Sequence, residues 1–242
     1  MCTVTFIPRS GGVLMASNRD EVLLRSNAKA PEAYTLNGRK IVFPKDNKAG
    51  GTWIAIHENG HVMVLLNGAY NSYTRGTSYR RSRGLIFLDI FQEPDPLAQF
   101  ERIDLDNIEP FSLVLWAGGR LHDLRWDGAR KFKTEEDPAL THIWSSTALY
   151  SPQVRRQREL WFSEWLSARD IAHITIEDLT QFHTFGGNGA DEENRLVMHL
   201  GTLLETISIT TIDWMPDKAV MHYKDLVHDT DTFVALPVHN IL

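Results

Sequence analysis

The first residues of this chain, 1–21, constrain its fold more than any other stretch. Thr3-Val4-Thr5-Phe6-Ile7 is β-branched and aromatic, which favours an extended strand. Pro8-Arg9-Ser10-Gly11-Gly12 is a turn cluster, and Val13 to Ser17 is a second apolar run that can pair back as a hairpin. Such a hairpin brings Asn18, Arg19, Asp20 and Glu21 beside the start of the first strand. Cys2, the only cysteine of the protein, stands there directly after Met1. Its side chain is small enough for a methionine aminopeptidase to remove Met1. Cys2 would then carry both a thiol and a free α-amino group. An α-amino group has a reference pKa of about 8, so it can take the thiol proton near neutral pH. The residue would hold a nucleophile and its base together. Arg19 can hold a thiolate and a substrate carboxylate or carbonyl, and Asp20 can orient the α-amino group. The same residues also fit a plainer reading, with Cys2 a small hydrophobe at a strand start and the charged quartet a hairpin exit.

The chain has 242 residues, enough for one domain with a sizeable core, and a single domain over 1–242 is expected. It is 43% hydrophobic and 23% charged, as expected of a globular protein. The net charge of −6 comes with no basic block, which argues against a nucleic-acid partner. No apolar run is long enough for a membrane span, and no signal peptide is visible, so a cytoplasmic location is expected. One cysteine cannot build an internal disulfide or a cysteine-based zinc site, and no metal site is expected.

Along the chain, Val22 to Lys48 reads as polar and turn-rich, with a short strand at Ile41-Val42-Phe43 ended by Pro44. Gly50-Gly51-Thr52-Trp53 leads into Ile54-Ala55-Ile56. Paired glycines permit close backbone approach, and Trp53 is either a ligand wall or core. His61 to Leu66 returns after the turn signal Asn59-Gly60 and ends at Asn67. Tyr70 to Tyr79 is polar. Helices are expected at Arg80 to Phe91, Pro96 to Ile103, Gln153 to Ala168 and Ile176 to His183. Arg81 and Arg83, cations near a helix start, oppose the macrodipole and hint at an acidic partner. Strands are expected at Phe111 to Ala117, Leu121 to Trp126, Lys131 to Lys133, Ser208 to Ile212, Val220 to Tyr223 and Phe233 to Val238. Helices among hairpins imply an α+β fold with antiparallel sheets.

Met1-Cys2 at the start, the tetrapeptide Asn18-Arg19-Asp20-Glu21, and Gly50-Gly51-Thr52-Trp53, in that order, resemble the NRDE family, the transport and Golgi organisation family. The resemblance extends over most of the chain. It implies an Ntn-hydrolase-like fold, a four-layer αββα sandwich of antiparallel sheets. It also implies a distant similarity to bile-salt hydrolase and penicillin V acylase, which begin Met-Cys-Thr as well. On that pattern Asn67 donates to an oxyanion, a role worth about 3 kcal/mol where such a donor has been measured. Asn18, Glu21, Trp53, Arg81 and Arg83 become ligand-binding candidates beside the catalytic candidates Cys2, Arg19 and Asp20. Thr147 of Ser146-Thr147-Ala148-Leu149 stands where the family usually has asparagine, and it can donate only one hydrogen bond. Thr206-Ile207 stands where a Thr-Arg pair is usual.

Three functions follow from the resemblance. One is an amidohydrolase that cleaves a non-peptide C–N bond of a small-molecule amide through Cys2, with no cofactor. The second is a carrier of haem, or of an acyl or lipid ligand, with His57, His61, His183, His199, Met63 and Met198 as the available haem-ligand types. The third is a pseudo-enzyme that only binds a partner. The oligomeric state is open at this level.

Overall fold

The opening hairpin forms and seeds the first of two sheets. The computed structural model describes residues 3–22, 28–201 and 203–239. Met1 and Cys2 therefore lie outside the described residues. Strand β1 (Thr3–Arg9) pairs antiparallel with β2 (Gly12–Glu21), from Val4 opposite Ser17 to Arg9 opposite Gly12. Gly11 makes the turn at φ 74°, a left-handed conformation that favours glycine. β2 runs on through the charged quartet, which is strand and not a hairpin exit.

The first sheet is completed from distant parts of the chain. These are β10 (His142–Ser145), β11 (His199–Leu200), β12 (Leu204–Trp214), β13 (Lys218–Asp225) and β14 (Thr230–Pro237). The order is β10-β1-β2-β12-β13-β14, with β11 against β12. The second sheet is a sequential meander: β3 (Ala28–Leu36), β4 (Arg39–Asp46), β5 (Ile54–His57), β6 (Val62–Asn67), β7 (Phe111–Ala117), β8 (Arg120–Trp126) and β9 (Lys131–Glu136). All of these pairings are antiparallel.

Strand parity sorts the side chains into layers. Val4, Phe6, Val13 and Met15 face the second sheet, and the Phe6 ring lies 5.7 Å from that of Trp116 on β7. Ile7, Leu14 and Ala16 face the other way. They pack with Phe162 of α3 (Pro152–Ser167) and with Leu179 and Phe182 of α4 (Ile176–Phe185). On the far side of the second sheet, Phe91 of α1 (Arg83–Phe91) meets His57 edge-on. Phe100 of α2 (Pro96–Arg102) meets Phe111 in the same way. The layers run helix, sheet, sheet, helix: the expected α+β sandwich.

Several local expectations change. Residues 28–36, read as polar and turn-rich, form the edge strand β3, where Pro31 alone is buried, so no apolar alternation marks it. Pro44 lies inside β4 and does not end it. It faces the register shift between Lys29 and Glu32, where a residue without an N–H breaks no ladder. The first helix starts at Arg83, capped by Ser82, whose side chain accepts from the Leu85 N–H at 3.3 Å. Arg80 and Arg81 precede it. No helix among the described residues is long and apolar enough to cross a membrane.

Candidate functional site

The charged quartet sits in the middle of the first sheet, so its four side chains are divided between two faces. β12 pairs beside it, Thr206 opposite Asp20 and Ser208 opposite Arg19, with a register shift between Thr206 and Ser208. Asn18 and Asp20 face the helical layer. Arg19 faces the second sheet.

On the helix side, Thr206 Oγ1 donates to Asp20 Oδ1 at 2.6 Å, and the Tyr150 hydroxyl donates to Asp20 Oδ2. The Met198 N–H donates to the same threonine oxygen at 2.9 Å. The Asp20 carboxylate is thereby fixed in direction. Asn18 does not line the cleft. Its Nδ2 donates to the backbone carbonyls of His183 and Leu196, each at 3.1 Å, and its Oδ1 accepts from His183 Nδ1. That leaves His183 Nε2 to accept from Thr5 Oγ1 at 2.8 Å. Burial, and next the Arg158 charge, push the His183 imidazole down to about 3, which keeps it neutral. Asn18 therefore ties α4 to β2.

On the sheet side, Arg19 Nη2 pairs with Asp46 Oδ2 at 2.7 Å, and its guanidinium lies 4.2 Å over the Trp53 ring. Glu21 is a more distant partner at 3.5 Å. Asp46 Oδ1 accepts from the N–H groups of Lys48 and Ala49 at 2.9 and 2.7 Å, so the turn after β4 holds the arginine's counterion in place. Arg19, Asp20, Glu21, Asp46 and Trp53 all line one cleft of about 720 Å³.

The far wall of the cleft comes from residues 73–84. Gly51 packs directly on Gly84 at the start of α1; a Cβ there would stand 2.3 Å from the Gly84 carbonyl carbon. Arg83 Nη1 donates to the Tyr73 hydroxyl at 2.9 Å and to the Pro110 carbonyl at 3.1 Å, and Nη2 pairs with Glu109 at 3.3 Å. Burial pushes the Tyr73 phenol up to about 12, so it stays a donor, to Glu109 Oε1 at 2.8 Å. Arg81 pairs with Asp89 at 2.7 Å. Both arginines line the cleft, and both find acidic partners within the chain.

Asn67, at the end of β6, lines this cleft and also a smaller cavity of about 210 Å³. Thr147, Ser145 and Arg155 belong to the smaller space. Ser146 Oγ donates to the Asn67 carbonyl at 2.8 Å, which couples the two segments. Gly68 leaves room for Thr147: a Cβ there would lie 2.4 Å from its Oγ1. Among the described residues, four buried donors on these walls have no hydrogen-bond partner: Arg19 Nη1, Trp53 Nε1, Thr147 Oγ1 and Arg155 Nε. Buried donors are seldom left unpaired, and such groups mark places where a ligand oxygen can be received.

Of the residues named from sequence, Arg19, Asp20, Glu21, Trp53, Asn67, Arg81 and Arg83 meet around the larger cleft, and Thr147 lies across Asn67 from it. The histidines and methionines considered as haem ligands, His57, His61, His183, His199, Met63 and Met198, line neither space. No group of three or more His, Cys, Asp or Glu among the described residues is placed to hold a metal ion. No sequence pattern marks Asp46, Tyr73, Glu109 or Tyr150. Thr206 stands out in the sequence only through Ile207, which follows it.

The family model described as Transport and Golgi organisation 2 matches residues 1–224. No curated protein sequence matches the chain. Among solved structures, the chain is similar to the Caenorhabditis elegans ortholog of N-acylethanolamine-hydrolyzing acid amidase. The TM-score is 0.60 at 11% identity, over 87% of this chain and 92% of that one. It is also similar to penicillin V acylase from Agrobacterium tumefaciens, with TM-score 0.61 and 10% identity over 97% of this chain and 86% of that one. A variant of conjugated bile acid hydrolase from Clostridium perfringens gives TM-score 0.60 and 9% identity over 96% and 92%. These likenesses establish an Ntn-hydrolase-like fold.

Proposed function

This chain belongs to the Transport and Golgi organisation 2 family, and from that premise we propose that it is an amidohydrolase with Cys2 as its amino-terminal nucleophile. The observation that carries the reading is the set of unpartnered buried donors, Arg19 Nη1 and Thr147 Oγ1, on the walls on either side of Asn67. Amide hydrolysis needs donors where the carbonyl oxygen becomes an oxyanion. The solved structures of similar fold carry titles naming an amidase, an acylase and a conjugated bile acid hydrolase, which supports the same class.

In this reading Met1 is removed and the α-amino group of Cys2 takes its thiol proton. The thiolate attacks the amide carbonyl carbon, and negative charge develops on the oxygen. Asn67 and Thr147 donate to that oxygen, and Arg19 holds a polar group of the acyl part. The C–N bond breaks, the amine leaves with the proton from the ammonium, and a thioester remains on Cys2. Water, giving its proton to the α-amino group, hydrolyses the thioester to the free acid. Asp20, locked by Thr206 and Tyr150, orients the α-amino group.

The test is release of nitroaniline from a panel of N-acyl nitroanilides of varied acyl length. The wild-type chain should turn over at least one member of the panel. Cys2→Ala, which still permits Met1 removal, should lose at least about a thousandfold of that rate. Equal rates for both proteins would sink the assignment.

A further inference from the structure

Arg158, on α3, is buried to 0% exposure, yet no carboxylate among the described residues lies within ion-pair distance of it. Its partners are neutral. Nη1 donates to Thr3 Oγ1 at 2.6 Å, Nη2 to the Arg195 carbonyl at 2.7 Å, and Nε to the Asn194 carbonyl at 3.2 Å. The guanidinium carbon sits 3.7 Å from the centroid of the Tyr150 ring. A buried cation without a counterion is expensive, and an apolar side chain of similar volume would pack the same position at lower cost. Its partners give the arginine a reason to be there. Thr3 is peptide-bonded to Cys2. Tyr150, under the guanidinium, gives its hydroxyl to Asp20. One buried charge thus touches the start of β1 directly and Asp20 through a single ring.

We infer that Arg158 and Tyr150 are positioning residues for the amino-terminal nucleophile: Arg158 holds the start of β1, and Tyr150 holds the Asp20 carboxylate against it. This rests on the reading of Cys2 as nucleophile. Tyr150 sets the direction of the carboxylate together with Thr206, and Arg158 sets the direction of Tyr150 by stacking on its ring and donating to neighbouring carbonyls. Neither residue needs to touch substrate.

The experiment is the rate of carbamidomethylation of Cys2 by iodoacetamide in the full chain, over roughly pH 5.5 to 9. It compares wild type, Tyr150→Phe, Arg158→Lys and Arg158→Met. Tyr150→Phe keeps the stacked ring and deletes only the hydroxyl on Asp20, so a structural role alone predicts an unchanged profile. The inference predicts that its rate near pH 7 falls about tenfold and that the profile's midpoint rises by about one pH unit. Arg158→Lys should keep part of the fast reaction and Arg158→Met should lose it. If Arg158→Met does not fold, the Tyr150→Phe profile decides. A fast wild-type thiol with Tyr150→Phe and Arg158→Lys profiles superimposed on it overturns this inference and leaves the Cys2 reading standing. A wild-type thiol that titrates as an ordinary cysteine overturns both.

Discussion

Lowering the pH from 7.5 to 5 removes at least about 4 kcal/mol of folding stability, before most carboxylates begin to protonate. The effect comes from histidines that the fold keeps neutral. His183 is pushed down to about 3, first by burial and then by the Arg158 charge. His57 is pushed down to about 4, first by burial and then by the Arg39 charge. In the unfolded chain both titrate near the ordinary value of about 6.5. The sign follows directly. Between the lowered folded value and the ordinary unfolded one, the unfolded state binds more protons, so stability falls as pH falls. Each histidine contributes about 2 kcal/mol over this window. His61, also lowered to about 4, steepens the same slope. Urea unfolding at the two pH values measures the difference directly. Equal stabilities would mean that these imidazoles are charged or solvated in the folded protein.

Asp46→Ala costs about 3–5 kcal/mol, the loss expected when one partner of a buried ion pair is removed. Arg19 is almost fully buried, and its close carboxylate is Asp46 at 2.7 Å; Glu21 stands off at 3.5 Å. Without Asp46 the guanidinium keeps its stack on Trp53 but loses its close counterion, leaving Glu21 at 3.5 Å. The turn that holds residues 46–49 also loses its two bonds to Oδ1. Asp46→Asn should cost less, since an amide oxygen can still accept from Lys48 and Ala49. Chemical denaturation of the three proteins at neutral pH gives the comparison. A loss under about 1 kcal/mol for Asp46→Ala would show the pair to be solvent-screened.

The parts of this fold that could be read from sequence are those with strong periodicity. The first hairpin and the hairpin of β7 and β8 each carry an apolar pattern that matches their burial, whereas on α3 the periodicity misleads: Leu160 of the apolar stripe is exposed, and Arg158, which that periodicity puts outside the stripe, is buried with Phe162. β3 carries none, because an edge strand with Pro31 as its single buried residue presents almost no apolar face. β10 was also unmarked: its four residues are all half-buried, and its pairing with β1 is long-range. The NRDE tetrapeptide could be recognised as a unit but not divided. Continuing the alternation of β2 through Glu21 separates Asn18 and Asp20 from Arg19, and that parity was the available signal that Asn18 faces α4. Asp46, Tyr150 and Arg158 could not be found in this way. Each joins the site through a contact across layers, and no local pattern marks such a contact.

The proposed function rests on Cys2 being an activated amino-terminal nucleophile. Its most direct test is the intact mass of the purified protein before and after brief exposure to iodoacetamide near pH 7. The expected result is a chain lacking Met1 that takes up one carbamidomethyl group about tenfold faster than an unperturbed thiol. Retention of Met1, or a thiol that reacts at the ordinary rate, would contradict it.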